Sequence, residues 1–190
     1  MYAGRASASS YIDLFITLLS MGLNGYKNLL EERNRLVGTF QKGLESVARK
    51  NNERLLVCPR NTISFGITLS HLGIFTSFCP KEDVGEMPLP EVFNSTPAED
   101  DDAKVTNYFG SMLFIRCVSG ARVISHGQIS KIGNDIFYGY GSSTNEYGSS
   151  YMTAACAIGL TELEITSFLD RLDQVFIDFH KQQQREKQNI

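Results

Sequence analysis

Near the start of the chain, Ile12, Leu14, Phe15, Ile16, Leu18, Leu19 and Met21 occupy almost every face of a helix. That pattern marks an interior element that must be buried against protein. The stretch MGLNGY breaks this helix, and Asn24 is an N-cap candidate for the next one. From there to about Lys50, Tyr26, Leu29, Leu30, Leu36, Val37, Phe40, Leu44 and Val47 follow the i, i+3, i+4 pattern, which only Arg33 interrupts. TISFGITL alternates Ile63, Phe65, Ile67 and Leu69 with small or polar residues and predicts a strand with one buried face.

GSMLFIRCV and ARVIS predict two more strands, joined at Ser119–Gly120, and residues 133–150 predict an irregular, exposed connection. YMTAACAIG reads as a helix of small residues made for close packing. A last helix begins at a capping box, Thr161 as N-cap and Glu164 at N3. Its apolar stripe is Ile165, Phe168, Leu169, Leu172, Val175, Phe176 and Phe179, before KQQQREKQNI frays into solvent. The predicted class is α+β, a short sheet covered by helices.

Composition adds limits rather than an identity. A chain of 190 residues, 42% hydrophobic and 21% charged, can bury its own core without a metal or disulfide staple. The net charge of -3 hides an asymmetry: residues 24–60 carry eight cations against four anions, and residues 81–103 one cation against eight anions. Such a split reads as a mixed-charge or basic helix face and an acidic solvated segment. Residues 75–106 also hold four of the five prolines and predict a long acidic insert or loop. Cys58, Cys79, Cys117 and Cys156 show no metal-ligand spacing, so reduced thiols in a cytoplasmic protein are the expectation. The apolar run at residues 11–21 is too short to cross a bilayer and contains Asp13.

No catalytic constellation closes on its own. His71, His126 and His180 have no partner at a recognisable spacing, and there is no phosphate-binding GxxxxGK[ST]. Two arginines stand out. Arg5, in GRASAS, sits among small residues, hydroxyls and backbone N–H groups just before a helix; it is either a solvated end or an anion contact. Arg116 falls on an expected strand face with Met112, Phe114 and Val118, where it must snorkel, form an ion pair, or meet a nucleobase edge or phosphate. Arg122 carries the same ambiguity.

YAGRASAS, GYKNLL, NERLL, GSMLFIRCVSGARV, TNEY and AACAIG, in that order, resemble the C-terminal part of the O-phosphoseryl-tRNA(Sec):selenocysteinyl-tRNA synthase family, SepSecS. The resemblance implies a small C-terminal domain of a fold-type-I, aspartate-aminotransferase-like enzyme that uses pyridoxal 5'-phosphate. It implies selenophosphate as co-substrate, the tRNA(Sec) acceptor arm as partner and a homotetramer. On this resemblance Arg5 matches an arginine that holds the substrate phosphate, and Arg116 one that contacts the discriminator base. The cofactor lysine would precede residue 1, so the expected organisation is a joint over residues 1–22 and a small domain over 23–190, inactive alone. The departures are Ala3 and Ser10 where the family has proline, Ile115 beside Arg116, and the acidic insert. The alternatives are a tRNA acceptor-arm binding module, or the small domain of another fold-type-I enzyme.

Overall fold

The computed structural model describes residues 8–72, 97–142 and 147–188, without the side chains of 97–101, 186 and 187. Among the described residues, three helices and six strands follow one another: α1 (Ser9–Lys50), β1 (Leu55–Leu56), β2 (Ser64–Thr68), α2 (Pro97–Ile115), β3 (Arg122–Ile124), β4 (Ile129–Ile132), β5 (Asp135–Tyr138), β6 (Tyr151–Ala155) and α3 (Glu162–Gln188). The expected α+β class is found.

The two expected N-terminal helices run together as α1, but Gly22 stands inside it at φ 63, ψ 174. Only glycine occupies that region without strain, so the break falls where MGLNGY predicts it. Beyond the kink the amphipathic stripe behaves as expected, with Leu36, Phe40, Leu44, Val47 and Ala48 buried. Before the kink it does not. Tyr11, Phe15, Leu19 and Leu23 are all exposed, and nothing among the described residues covers them. The interior environment that this pattern calls for is not supplied by the described residues.

The main sheet has the order β1-β2-β6-β3, antiparallel throughout, and β4 and β5 form a separate hairpin. Strand β2 forms as expected, with Phe65, Ile67 and Leu69 buried, but Ile63 is exposed, and Gly66 and Thr68 are buried too, so both faces are covered rather than one. Two expectations are overturned. YMTAACAIG is not a helix: residues 151–155 pair with β2 from Ser64↔Ala155 to Thr68↔Tyr151. Met152, Ala154 and Cys156 alternate inward. Small residues carry weak preferences of their own, so pairing with two neighbours decided their state. Residues 110–115 are not a strand either but the last turns of α2. The inward residues Val105, Phe109, Met112 and Leu113 have helical spacing, visible only when the window starts before Gly110.

Two further details depart from expectation. The expected irregular stretch 133–150 contains β5, which pairs with β4 across a two-residue turn opened by Gly133 at φ 64. The C-terminal segment continues α3 to Gln188 rather than fraying from residue 181. The expected acidic insert falls partly on α2; residues 73–96 lie outside the described part.

α1 and α2 pack on the main sheet, and α3 packs on both helices. Leu172, Val175, Phe176 and Phe179 of α3 are fully buried. The capping box is formed: Glu164 N–H donates to Thr161 Oγ1 (3.3 Å), and Thr161 N–H donates to Glu164 Oε2 (2.8 Å). The Thr161 N–H, together with the Thr161 hydroxyl, which donates to the same Glu164 oxygen at 2.8 Å, holds the Glu164 carboxyl below its ordinary pKa.

Candidate nucleic-acid contact site

The end of α2 is built by its own backbone. Cys117 takes the left-handed conformation at φ 58. Its N–H donates to Phe114 O (3.0 Å), and Val118 N–H reaches back to Leu113 O (2.9 Å). This is the Schellman pattern, and buried Val118 supplies the hydrophobic contact that accompanies it. Arg116 is therefore the C-cap residue, a cation at the negative end of the helix dipole. The expectation that it lies on a strand face is corrected: Met112 and Val118 point into the core, and Phe114 and Ile115 are exposed.

A non-glycine residue at positive φ is strained by roughly 1–2 kcal/mol. Cys117→Gly is accordingly expected to raise stability by up to about 1 kcal/mol, after the greater freedom of glycine in the unfolded chain is subtracted. A shift of the urea midpoint to higher concentration, at constant slope, is the check.

Arg116 is one of the half-buried cations of this surface. Its Nη2 donates to Asp178 Oδ2 at 2.6 Å, from α2 to α3. The other carboxylate oxygen accepts from Gln174 Nε2 at 2.9 Å, one turn earlier on α3. Burial opposes the Asp178 charge, yet the hydrogen bonds from Arg116 and Gln174 and the charges of Arg116 and Lys181 hold its carboxyl below the ordinary range. Nearby, Arg171 Nη1 donates to Cys117 O at 3.2 Å and closes the turn. A groove of about 530 Å³ opens beside it, lined by Phe40, Val118, Ser119, Leu163, Phe168 and Arg171 among others. The ion-pair alternative for Arg116 is thus real in this fold, and it coexists with partial exposure.

The other candidates separate. Arg5 lies outside the described residues. Arg122 Nη2 donates to Gly141 O and ties β3 to the loop after the hairpin. On α1, Arg49 pairs with Glu45 (2.6 Å), Lys50 with Asp173 of α3 (3.0 Å) and Arg35 with Glu32 (2.7 Å). Much of the basic charge on that helix is thereby offset at an exposed surface.

Asp102, Ser150 and His126 do meet, but not as a catalytic triad. Ser150 Oγ donates to Asp102 Oδ2 (2.6 Å), and it is the backbone N–H of His126, not its ring, that donates to Ser150 Oγ (2.8 Å). The contact ties α2 to the turn after β3 and to the segment just before β6. Among the described residues there is no group of three metal-ligating side chains, and no helix is long and apolar enough to cross a membrane.

Sequence reasoning passed over Asp178, which lies 62 residues from Arg116 along the chain. Its only signal is an acid on the α3 surface spaced four residues from Gln174.

The fold and this site define a helix-covered antiparallel α+β module with a half-buried arginine that caps α2 and pairs with α3, and with no catalytic constellation among its described residues. The family model described as O-phosphoseryl-tRNA(Sec) selenium transferase, SepSecS, matches residues 1–177, and the chain belongs to that family. The O-phosphoseryl-tRNA(Sec) selenium transferase of Dictyostelium discoideum is 41% identical over 178 residues, covering 92% of this chain and 34% of the relative. That of Caenorhabditis elegans is 27% identical over 190 residues, 100% of this chain and 34% of the relative. The chain thus spans about a third of the length of these curated relatives. A crystal structure of an archaeal O-phosphoseryl-tRNA(Sec) selenium transferase superposes with a TM-score of 0.56 at 21% identity, over 91% of this chain and 30% of that one. At that identity the likeness speaks for the fold.

Proposed function

We propose that this chain is the substrate-contacting, C-terminal part of a transferase that converts O-phosphoseryl-tRNA(Sec) to selenocysteinyl-tRNA(Sec) with selenophosphate. The observation that carries the reading is the family match over residues 1–177, which takes in both Arg5 and Arg116. On this reading Arg5 holds the substrate phosphate, and Arg116 contacts the discriminator base at the tRNA acceptor end. The working unit is a cytoplasmic homotetramer.

Pyridoxal phosphate is the cofactor such chemistry uses, as an electron sink for elimination. The described lysines do not fit as its anchor. Lys27, Lys42 and Lys50 are exposed on α1, Lys104 is exposed on α2, Lys131 lies on the exposed hairpin, and Lys181 is exposed on α3. The groove beside Arg171 has no lysine among its lining residues. On this reading none of the described lysines anchors the cofactor, and this chain's own work is to bind and orient the tRNA end.

The test is made in a protein of the relatives' length carrying this sequence, loaded with cofactor and supplied with phosphoseryl-tRNA(Sec) and selenophosphate. Selenocysteinyl-tRNA is the expected product. Arg116→Ala is expected to lower kcat/KM by the equivalent of about 1–3 kcal/mol, the worth of one good arginine–base contact. No product sinks the transferase reading. A product formed equally well by Arg116→Ala removes the base contact and leaves the transferase.

A further inference from the structure

An arginine that meets RNA can act in two ways: as a net positive charge on phosphate, or as a fork of donors on a base edge. The surroundings of Arg116 favour the second. Its guanidinium is neutralised by Asp178 at 2.6 Å, and that carboxylate is itself fixed through its other oxygen by Gln174. Guanidinium has five N–H donors, and the bond to Asp178 takes one. Among the described residues, Nε and Nη1 have no hydrogen-bond partner. The pair is neither sealed nor fully solvated, with side-chain exposures of 31% for Arg116 and 29% for Asp178. Oriented donors therefore stand at the surface of a pair whose charges sum to zero.

We propose that Asp178 is a positioning residue that makes Arg116 a reader of a neutral base edge and bars it from acting as a phosphate clamp. This rests on the reading of Arg116 as a tRNA contact. A phosphate drawn to Arg116 would come close to the Asp178 carboxylate and be repelled. The O6 and N7 acceptors of a guanine carry no such charge and match the paired donors of the fork. Gln174 contributes by holding the carboxylate plane, and with it the angle at which the guanidinium is presented. Lys181, three residues along α3 and exposed, leaves one positive charge nearby for the backbone.

The experiment uses the 190-residue chain and acceptor-stem RNA hairpins that differ only in the unpaired base following the stem. Dissociation constants are measured over a range of salt concentrations for the wild type, Asp178→Asn, Gln174→Ala and Arg116→Ala, with thermal melts to show that each is folded. Asp178→Asn keeps the shape and removes the charge. It is expected to steepen the log–log salt slope by roughly 0.7–0.9, one added phosphate contact. Its preference for guanine over the other bases is expected to fall about fivefold or more. Gln174→Ala leaves the charge in place, so base preference should drop while the salt slope stays as in the wild type.

If Asp178→Asn changes neither slope nor preference while Arg116→Ala weakens binding, the positioning role is overturned and the tRNA contact stands. If the wild type does not bind, or Arg116→Ala binds as the wild type does, the tRNA reading of Arg116 fails and the inference fails with it.

Discussion

Phe109→Ala is expected to lower the stability of the chain by about 3–5 kcal/mol, with Phe114→Ala within about 0.5 kcal/mol of the wild type. Phe109 is fully buried, with its ring 4.8 Å from that of Phe176 and 5.6 Å from that of Phe179. Removing it leaves a cavity where α2 meets α3, lined by two rings that cannot both collapse into it. Phe114 is 75% exposed. The pair of variants tests the helical state of residues 107–115. Were that stretch a strand with Met112, Phe114 and Val118 on its inner face, Phe114→Ala would carry the large loss. Urea unfolding followed by circular dichroism gives both numbers in one series, and comparable losses for the two would contradict the helix.

Glu53→Ala is expected to cost about 2–4 kcal/mol, because two donors lose a charged acceptor inside the fold. The Glu53 carboxylate is buried just beyond α1. It accepts from Thr68 Oγ1 at 2.5 Å and from His71 N–H at 2.6 Å. Thr68 Oγ1 in turn accepts from Arg54 N–H at 3.0 Å. The carboxylate thus joins the end of the long helix to the far end of β2, and Thr68 is itself buried. Glu53→Gln keeps one acceptor oxygen and should lose less. Equal stability of Glu53→Ala and the wild type would show that water replaces the carboxylate. A selective loss of amide-exchange protection in β2 and at His71 would locate the effect.

Legibility followed length and period. α3 announces itself through a capping box and a seven-residue apolar stripe, and both are present. The amphipathic part of α1 is equally plain, including the break at Gly22. GSMLFIR misled because a window opened at a glycine catches only the last turns of a helix that starts at Pro97. Its run of Met, Leu, Phe and Ile fits a strand as well as a helix. The site was half legible. Arg116 was marked by being charged among apolar neighbours, whereas its setting at a Schellman turn depends on Cys117 adopting positive φ. Arg5 is marked instead by the small and hydroxyl residues of GRASAS around it, and it lies outside the described residues.

By itself the sequence determined the amphipathic helices, the capping box, strand β2 and the ordered motif blocks that mark the family. Each of these is written locally, in a period or a short run of specific side chains. Only the tertiary structure decided that the small-residue run at residues 151–155 is a strand. It has two strands to pair with, and pairing outweighs the poor strand preference of its two alanines. The tertiary structure also decided what Arg116 meets. Asp178 comes from a helix 62 residues away, and no local pattern says which carboxylate a packed helix will bring to a neighbouring cap.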